Sequence, residues 1–176
     1  DTVFVRGREK PVVGEVTSED AASISVKGTK TLEKIPATDV IDVFYTGITP
    51  PSLYLGKGAY KLATDAEKDV DSADPAKRKT ALTTAIAKYN ETLKEMKQPH
   101  KFANRAIRYR IAMLNLKLAQ SEKTSTTTAL GELQKFRAEF PNSWQINQVM
   151  PTIAQLQMDA GDYKGATATF EEMTLM

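Results

Sequence analysis

The chemistry open to this chain is limited first by the residues it lacks. It contains one histidine, His100, and no cysteine. The absence of cysteine excludes disulfides, zinc–thiolate sites and thiol nucleophiles. His100 lies in a Gln-Pro-His-Lys segment between two predicted helices, and no serine or carboxylate motif accompanies it. Because catalysis and metal binding need convergent partners, we interpret His100 as a solvated turn residue and predict no catalytic, cofactor or metal site.

Five closely spaced acidic residues could form a calcium loop: Asp65, Glu67, Asp69, Asp71 and Asp74. A helix–loop–helix calcium site needs Gly at its sixth position and Glu at its twelfth. Counted from Asp69, those positions hold Asp74 and Thr80. The pattern instead favours a solvated loop between helices, with Asp74 and Pro75 starting the next helix.

Two further candidates for ligand binding are the Gly56-Lys-Gly58 segment and Trp144. No predicted strand leads into the two glycines and no complete phosphate-loop signature surrounds them, so we interpret them as a helix start. Trp144 follows a Pro-Asn-Ser turn and could bind a ligand, but its interpretation as a packing residue between helices is favoured.

A basic segment is the feature of the sequence that indicates a binding surface. Residues 76–137 carry 14 Lys/Arg and 4 Asp/Glu, a net charge of +10 in a chain of net charge +2. Lys101, Arg105 and Arg108 step by four and three, so they share one helix face, which Lys94 and Lys97 approach from the preceding helix. This basic face could bind acidic protein segments, anionic lipid or nucleic-acid phosphates. The alternative is a solvated face, or one paired with the acidic residues of 65–74.

The first 48 residues predict a small β-domain. Alternating or β-branched runs separated by turn signals occur at residues 2–5, 12–17, 23–27, 31–35 and 40–45. With one helical turn before the last strand, they predict a small antiparallel barrel or meander that resembles SH3-like and Sm-like barrels. Leu32 and Ile35 fall on opposite faces of the fourth run, which predicts either a bulge or a different strand boundary there.

Consecutive prolines at positions 50 and 51 support neither a helix interior nor a central strand. From Leu53 onward the apolar residues recur with the period of a helix. We therefore predict a two-domain α+β protein: a β-domain at 1–48, a proline-rich linker at 49–52 and an all-α domain at 53–176. Pro151 falls inside a predicted helix, so that helix either kinks near Asn147 or begins late.

The helical part contains an internal repeat. An alanine followed four residues later by a bulky residue recurs after 44 and then 37 residues, which are periods of two-helix repeats that bury their cores by stacking. With Phe136 added, the predicted repeat core consists of Ala85, Tyr89, Ala129, Leu133, Phe136, Ala166 and Phe170.

The end of the chain resembles a tetratricopeptide repeat. Residues 160–170 are similar to the turn and second helix of that repeat, Ile153 and Ala154 match its large–small pair, and Pro141 follows Ala129 at the family's spacing. Residues 136–143 are similar to the turn between repeats in bacterial cell-envelope tetratricopeptide proteins, which act as scaffolds. The resemblance implies an α-solenoid, a protein partner and a periplasmic or cell-envelope location, with a cytoplasmic one as the alternative.

These features predict a non-enzymatic protein–protein interaction scaffold without cofactors. The alternative function is binding of nucleic acid or an anionic membrane surface through the basic face. No stretch approaches the roughly 18 to 20 apolar residues of a membrane-spanning helix, so no transmembrane segment is predicted. The last predicted helix reaches Met176 without a polar capping helix, from which we expect the natural chain to continue.

Overall fold

The computed structural model describes residues 1–48, 58–96 and 102–175. Within these ranges the chain is α+β, with six strands before residue 45 and six α-helices after residue 58, so the predicted class is confirmed. Its internal contacts divide it into two compact units. We call residues 1–46 with 134–176 the mixed unit, and residues 47–133 the helical unit.

Two three-stranded antiparallel sheets form the N-terminal part of the mixed unit. Sheet A has the order β2 (Val12–Val13), β1 (Thr2–Val5), β6 (Val40–Phe44), and sheet B has the order β3 (Glu15–Glu19), β4 (Ser23–Lys27), β5 (Leu32–Pro36). A single 3₁₀ turn, Ala37–Asp39, precedes β6, as the sequence predicts. The sheets are not closed into a barrel, so the barrel alternative is wrong, whereas β3, β4 and β5 pair in chain order as the strands of a meander do. The run at 12–17 is divided at Gly14 into strands of different sheets.

The strands bury one apolar face each. Val3 and Val43 are at most 1% exposed in sheet A, as are Ile24 and Ile35 in sheet B. Of the two alternatives for the fourth run, the bulge is wrong, because β4 and β5 pair in continuous register and Leu32 faces outward at 67% exposure. The boundary differs from the predicted one, since β5 covers Leu32–Pro36. The register shifts lie elsewhere, in the β1–β6 and β3–β4 pairs.

Helix α4 (Thr127–Glu139) is divided between the two units, and the mixed unit also contains α5 (Ile146–Asp159) and α6 (Tyr163–Thr174).

The side-chain amides of two adjacent residues of α5 donate hydrogen bonds to backbone carbonyls of the N-terminal β-region, residues 1–46, more than 100 positions earlier in the chain. Asn147 Nδ2 donates to Ala21 O at 2.9 Å, and Gln148 Nε2 donates to Val40 O at 3.1 Å and to Ile41 O at 3.2 Å. These bonds join α5 to the β3–β4 turn and to β6. The boundary between the two units falls inside α4, the predicted 53–176 domain stays a prediction, and the predicted linker at 49–52 lies outside the described residues.

We expect Gln148→Leu to lower the free energy of unfolding by about 1 to 2 kcal/mol, because the carbonyls of Val40 and Ile41 would lose a donor. Urea unfolding followed by circular dichroism measures this loss. The matched control is Gln155→Leu, since the exposed Gln155 amide donates only to Asp159 within the same helix. Equal losses in the two variants would show that the bonds to the β-region contribute nothing.

The helical unit contains α1 (Ala59–Glu67), α2 (Pro75–Glu95), α3 (Ala103–Ser121) and the first half of α4. Asp74 caps α2 by accepting from the backbone N–H groups of Ala76 and Lys77, and Pro75 occupies the first helical position. This start is the one that the sequence predicts. Helix α3 buries residues on two neighbouring sides, including Ala106 and Ile107.

Pro151 lies inside α5, which already begins at Ile146, so the predicted late start is wrong. Proline cannot donate to the carbonyl of Asn147, four residues earlier. In the first turn of the helix, the N–H groups of Gln148 and Val149 both donate to Gln145 O at 2.9 Å. The proline therefore removes a bond close to the helix start, where few turns depend on it.

The predicted repeat-core residues differ in burial. Ala85, Tyr89, Ala129, Leu133, Phe136 and Ala166 are at most 3% exposed. Phe170 is 45% exposed. The solenoid arrangement and the tetratricopeptide resemblance stay predictions.

Candidate functional site

The acidic run at 65–74 is held by basic side chains of the helical unit. Asp65 pairs with Lys61 and Lys68, and hydrogen bonds from these two lysines lower the pKa of Asp65 to about 2. Asp69 pairs with Lys77 at 2.8 Å and Asp71 pairs with Lys117 at 2.5 Å. Among the described residues no cluster of three or more His, Cys, Asp or Glu side chains could hold a metal ion. Asp65 thus pairs at the end of its own helix, whereas Asp69 and Asp71 pair with lysines of α2 and α3.

Glu67 is the one member of this run that takes part in a largely buried cluster. Tyr89 of α2 donates its hydroxyl to Glu67 Oε2 at 2.8 Å, and the Arg110 guanidinium of α3 approaches the same oxygen at 2.9 Å. The Glu67 and Arg110 side chains are 17% and 9% exposed. Burial raises the pKa of Tyr89 above its usual range, so its hydroxyl stays protonated and donates. One carboxylate thus joins three helices.

The basic face predicted from the sequence is only partly described. Lys97 and Lys101 lie outside the described residues, as does His100. Lys94 is exposed in the last turn of α2. The Arg105 guanidinium lies 5.0 Å from the centre of the Phe102 ring, and Arg108 Nε donates to Asn104 Oδ1 at 2.7 Å. Arg105 and Arg108 thus each contact a residue three or four positions earlier in the chain.

A tight turn joins α5 to α6. Gly161 adopts a left-handed conformation with φ of 78°, and Asp162 caps α6 by accepting from Gly165 N at 2.9 Å. A Cβ atom at Gly165 would lie 2.7 Å from the Gln157 amide nitrogen, so a larger residue here would displace that side chain. The buried Thr169 hydroxyl donates to Gln157 Oε1 at 2.8 Å. These contacts fix one face of α6 against α5.

A second face of α6, which borders the buried one, presents aromatic side chains. Tyr163 and Phe170 lie seven residues apart, so they share this face, and they are 69% and 45% exposed. Met158, near the end of α5, is 41% exposed. This outer face of α6 is the apolar surface of the hairpin that the α5–α6 packing leaves exposed.

The two sheets differ in their outward faces. The register of sheet A places Val13, Thr2 and Phe44 in one row, with Phe4 on the same face and its ring edge-on to that of Phe44 at 5.8 Å. Val13 and Phe4 are 69% and 38% exposed. The matching row of sheet B is polar and consists of Ser18, Ser25 and Lys34.

A cleft of about 200 Å³ opens in the mixed unit, where four parts of the chain meet. The β3–β4 turn, α4, the α4–α5 turn with α5, and α6 contribute its lining: Ala21, Arg137, Pro141, Asn142, Ile146, Met150 and Glu172. Arg137 and Glu172 form an ion pair. The sequence alone does not predict this cleft. Three of its lining residues, Arg137, Pro141 and Asn142, lie in the segment 136–143 that resembles an inter-repeat turn.

None of the described helices has the length and apolar character needed to cross a membrane. The buried aromatic Trp144, 2% exposed, fits the packing role favoured by its sequence context.

Comparison of the chain with protein-family models, with curated proteins and with solved structures found no significant match.

Proposed function

We propose that this protein is a non-enzymatic scaffold that binds a protein partner through its C-terminal helical hairpin. The observation that carries the proposal is the pair of exposed aromatic side chains, Tyr163 and Phe170, on the outer face of α6. Aromatic residues are enriched among the residues that dominate binding energy at protein interfaces. A partner's amphipathic helix, packed along α6, would cover both rings.

The hairpin is suited to presenting this surface because its inner face is fixed. Ile153 and Ala154 of α5 are fully buried, and Ala166 of α6 is 3% exposed. The Thr169–Gln157 bond and the Asp162 cap hold α6 in a defined rotation. A rigid helix that presents aromatic side chains loses little conformational entropy on binding.

Ion pairs compensate part of the basic charge of residues 76–137, which leaves less of it for nucleic acid or an anionic membrane. Seven basic side chains of residues 76–137 form ion pairs with described carboxylates: Lys77, Lys79, Lys88, Arg110, Lys117, Lys135 and Arg137. Their charge is therefore largely compensated within the chain. Through its resemblance to envelope scaffolds, the turn at 136–143 supports a periplasmic or cell-envelope location as part of this proposal.

Crosslinking of the 176-residue chain in an extract of its source organism, followed by affinity capture and mass spectrometry, tests the proposed function. We expect one reproducible protein partner with crosslinks to α6. Repeated failure to capture a partner would count heavily against a scaffold.

We predict that the double substitution Tyr163→Ser/Phe170→Ser lowers capture of that partner by about tenfold or more, because an interface loses two aromatic anchors. Quantitative mass spectrometry of the captured fraction measures the loss. The control Val13→Thr removes an equally exposed apolar side chain from sheet A. Unchanged capture with the double variant, or an equal loss with Val13→Thr, would place the interface elsewhere.

A further inference from the structure

We propose that the cleft of the mixed unit binds one bulky apolar side chain of a basic, extended segment of a protein partner. This inference rests on the proposed function, because it assigns a second contact to the same scaffold. The cleft is built by residues from both ends of the chain, which the Asn147 and Gln148 bonds hold together. It therefore forms only when the mixed unit is folded.

The volume and the apolar lining of the cleft define which side chain of the partner, called the anchor, it could hold. A volume of about 200 Å³ corresponds to one large side chain such as leucine, methionine or phenylalanine, not to a drug-sized ligand. Ile146 and Met150 contribute the apolar lining and are themselves at most 2% exposed, so this part of the wall is fixed by core packing. Ala21 and Pro141 add further apolar lining.

The charges around the cleft define the segment that carries the anchor. Arg137 is neutralised by Glu172, its ion-pair partner in the lining. Asp20 directly precedes Ala21 in the β3–β4 turn. Backbone hydrogen bonds from Ser23 and Ala22 lower the pKa of Asp20, which keeps it ionised, and the charge of Lys34 acts in the same direction. Asp20 forms no ion pair with a described residue, so a lysine or arginine beside the anchor would find a carboxylate open to a closer pairing.

The charge of the whole unit agrees with this local balance. The mixed unit carries 9 Lys/Arg and 13 Asp/Glu, a net charge of −4, whereas the helical unit carries 15 and 9, a net charge of +6. A basic segment would be attracted to the mixed unit and an acidic one repelled. We therefore assign the cleft to a basic segment.

A synthetic peptide tests the assignment directly: acetyl-Lys-Gly-Lys-Leu-Lys-Gly-Lys-amide, titrated into the ¹⁵N-labelled full chain and followed by NMR. We expect saturable shifts at the amides of residues 20–22, 137, 142–150 and 171–172. The peptide with alanine in place of leucine should bind about tenfold more weakly, and the peptide with glutamate in place of lysine should not bind. Equal binding of the leucine and alanine peptides, or shifts outside these residues, would overturn the proposal.

Ala21→Phe should abolish peptide binding, because the new ring fills the cleft. The matched control is Ala168→Phe, which adds the same ring at an exposed position of α6, and it should leave binding unchanged. Glu172→Gln should weaken binding severalfold, which keeps the test valid if Ala21→Phe unfolds the chain. A dimer that Ala21→Phe dissociates would assign the cleft to a second copy and overturn the proposal. Capture of a partner through α6 in the absence of peptide binding would refute the cleft assignment alone.

Discussion

Replacing Glu67 by leucine is expected to lower the free energy of unfolding by about 3 kcal/mol, because Arg110 would keep its charge in a largely buried position without its carboxylate partner. The Tyr89 hydroxyl, which is fully buried, would lose the same acceptor. Since Glu67 joins α1 to both α2 and α3, the loss should appear throughout the helical unit. Urea unfolding gives its size, and hydrogen exchange in α1, α2 and α3 gives its location.

Two comparisons make this expectation specific to the buried charge. Asp71→Ala removes a neighbouring acidic residue whose ion pair with Lys117 is exposed, at 79% for the carboxylate, and should cost less than about 1 kcal/mol. The double variant Glu67→Leu/Arg110→Met removes both charges and should be more stable than Glu67→Leu alone. A double variant destabilised by the sum of the two single effects would show that the charge pair is not the cause.

The strands were predictable because their signal is local. Alternation at residues 2–5 and 23–27 gives the bounds of β1 and β4 as the structure has them. The helix start at Asp74 and Pro75 was equally local, since a capping side chain and a proline need only neighbouring backbone groups. Barrel closure was not, because it depends on which strands pair across the sheets.

The repeat pattern failed at Phe170 for a reason visible in α6. The buried stripe of this helix passes through Ala166 and Thr169, and Thr169 is held there by its hydrogen bond to Gln157. A pattern of apolar residues at a spacing of four includes Phe170 and does not include a buried threonine. Phe170, predicted as a core residue, is instead exposed and belongs to the candidate binding surface.

The cleft could not be derived from sequence because its walls come from opposite ends of the chain. Ala21 and Glu172 lie in the same lining only through long-range packing. The amides of Asn147 and Gln148 that support this packing stand in an unremarkable stretch of a helix. Predicting such contacts needs the fold itself.

The division of the β-region into two sheets leads to the second large effect. Gly14 stands between β2 and β3, where the chain leaves sheet A and enters sheet B. A Cβ atom there would lie 2.5 Å from the backbone carbonyl oxygen of Lys27 and 2.9 Å from a Val26 methyl group. Lys27 belongs to β4, which is paired on both sides and cannot withdraw. We therefore expect Gly14→Ala to destabilise the protein by about 3 kcal/mol.

The matched substitution Gly131→Ala separates this close approach from the general effect of replacing glycine. Gly131 lies inside α4, and a Cβ atom there would meet nothing within 4 Å. Alanine has the higher helix propensity, so this variant should gain about 0.5 to 1 kcal/mol. Thermal and urea unfolding of both variants measure the contrast. Similar stability of Gly14→Ala and the unaltered chain would mean that β3 and β4 can separate at this point, and that Gly14 does not fix the passage between the sheets.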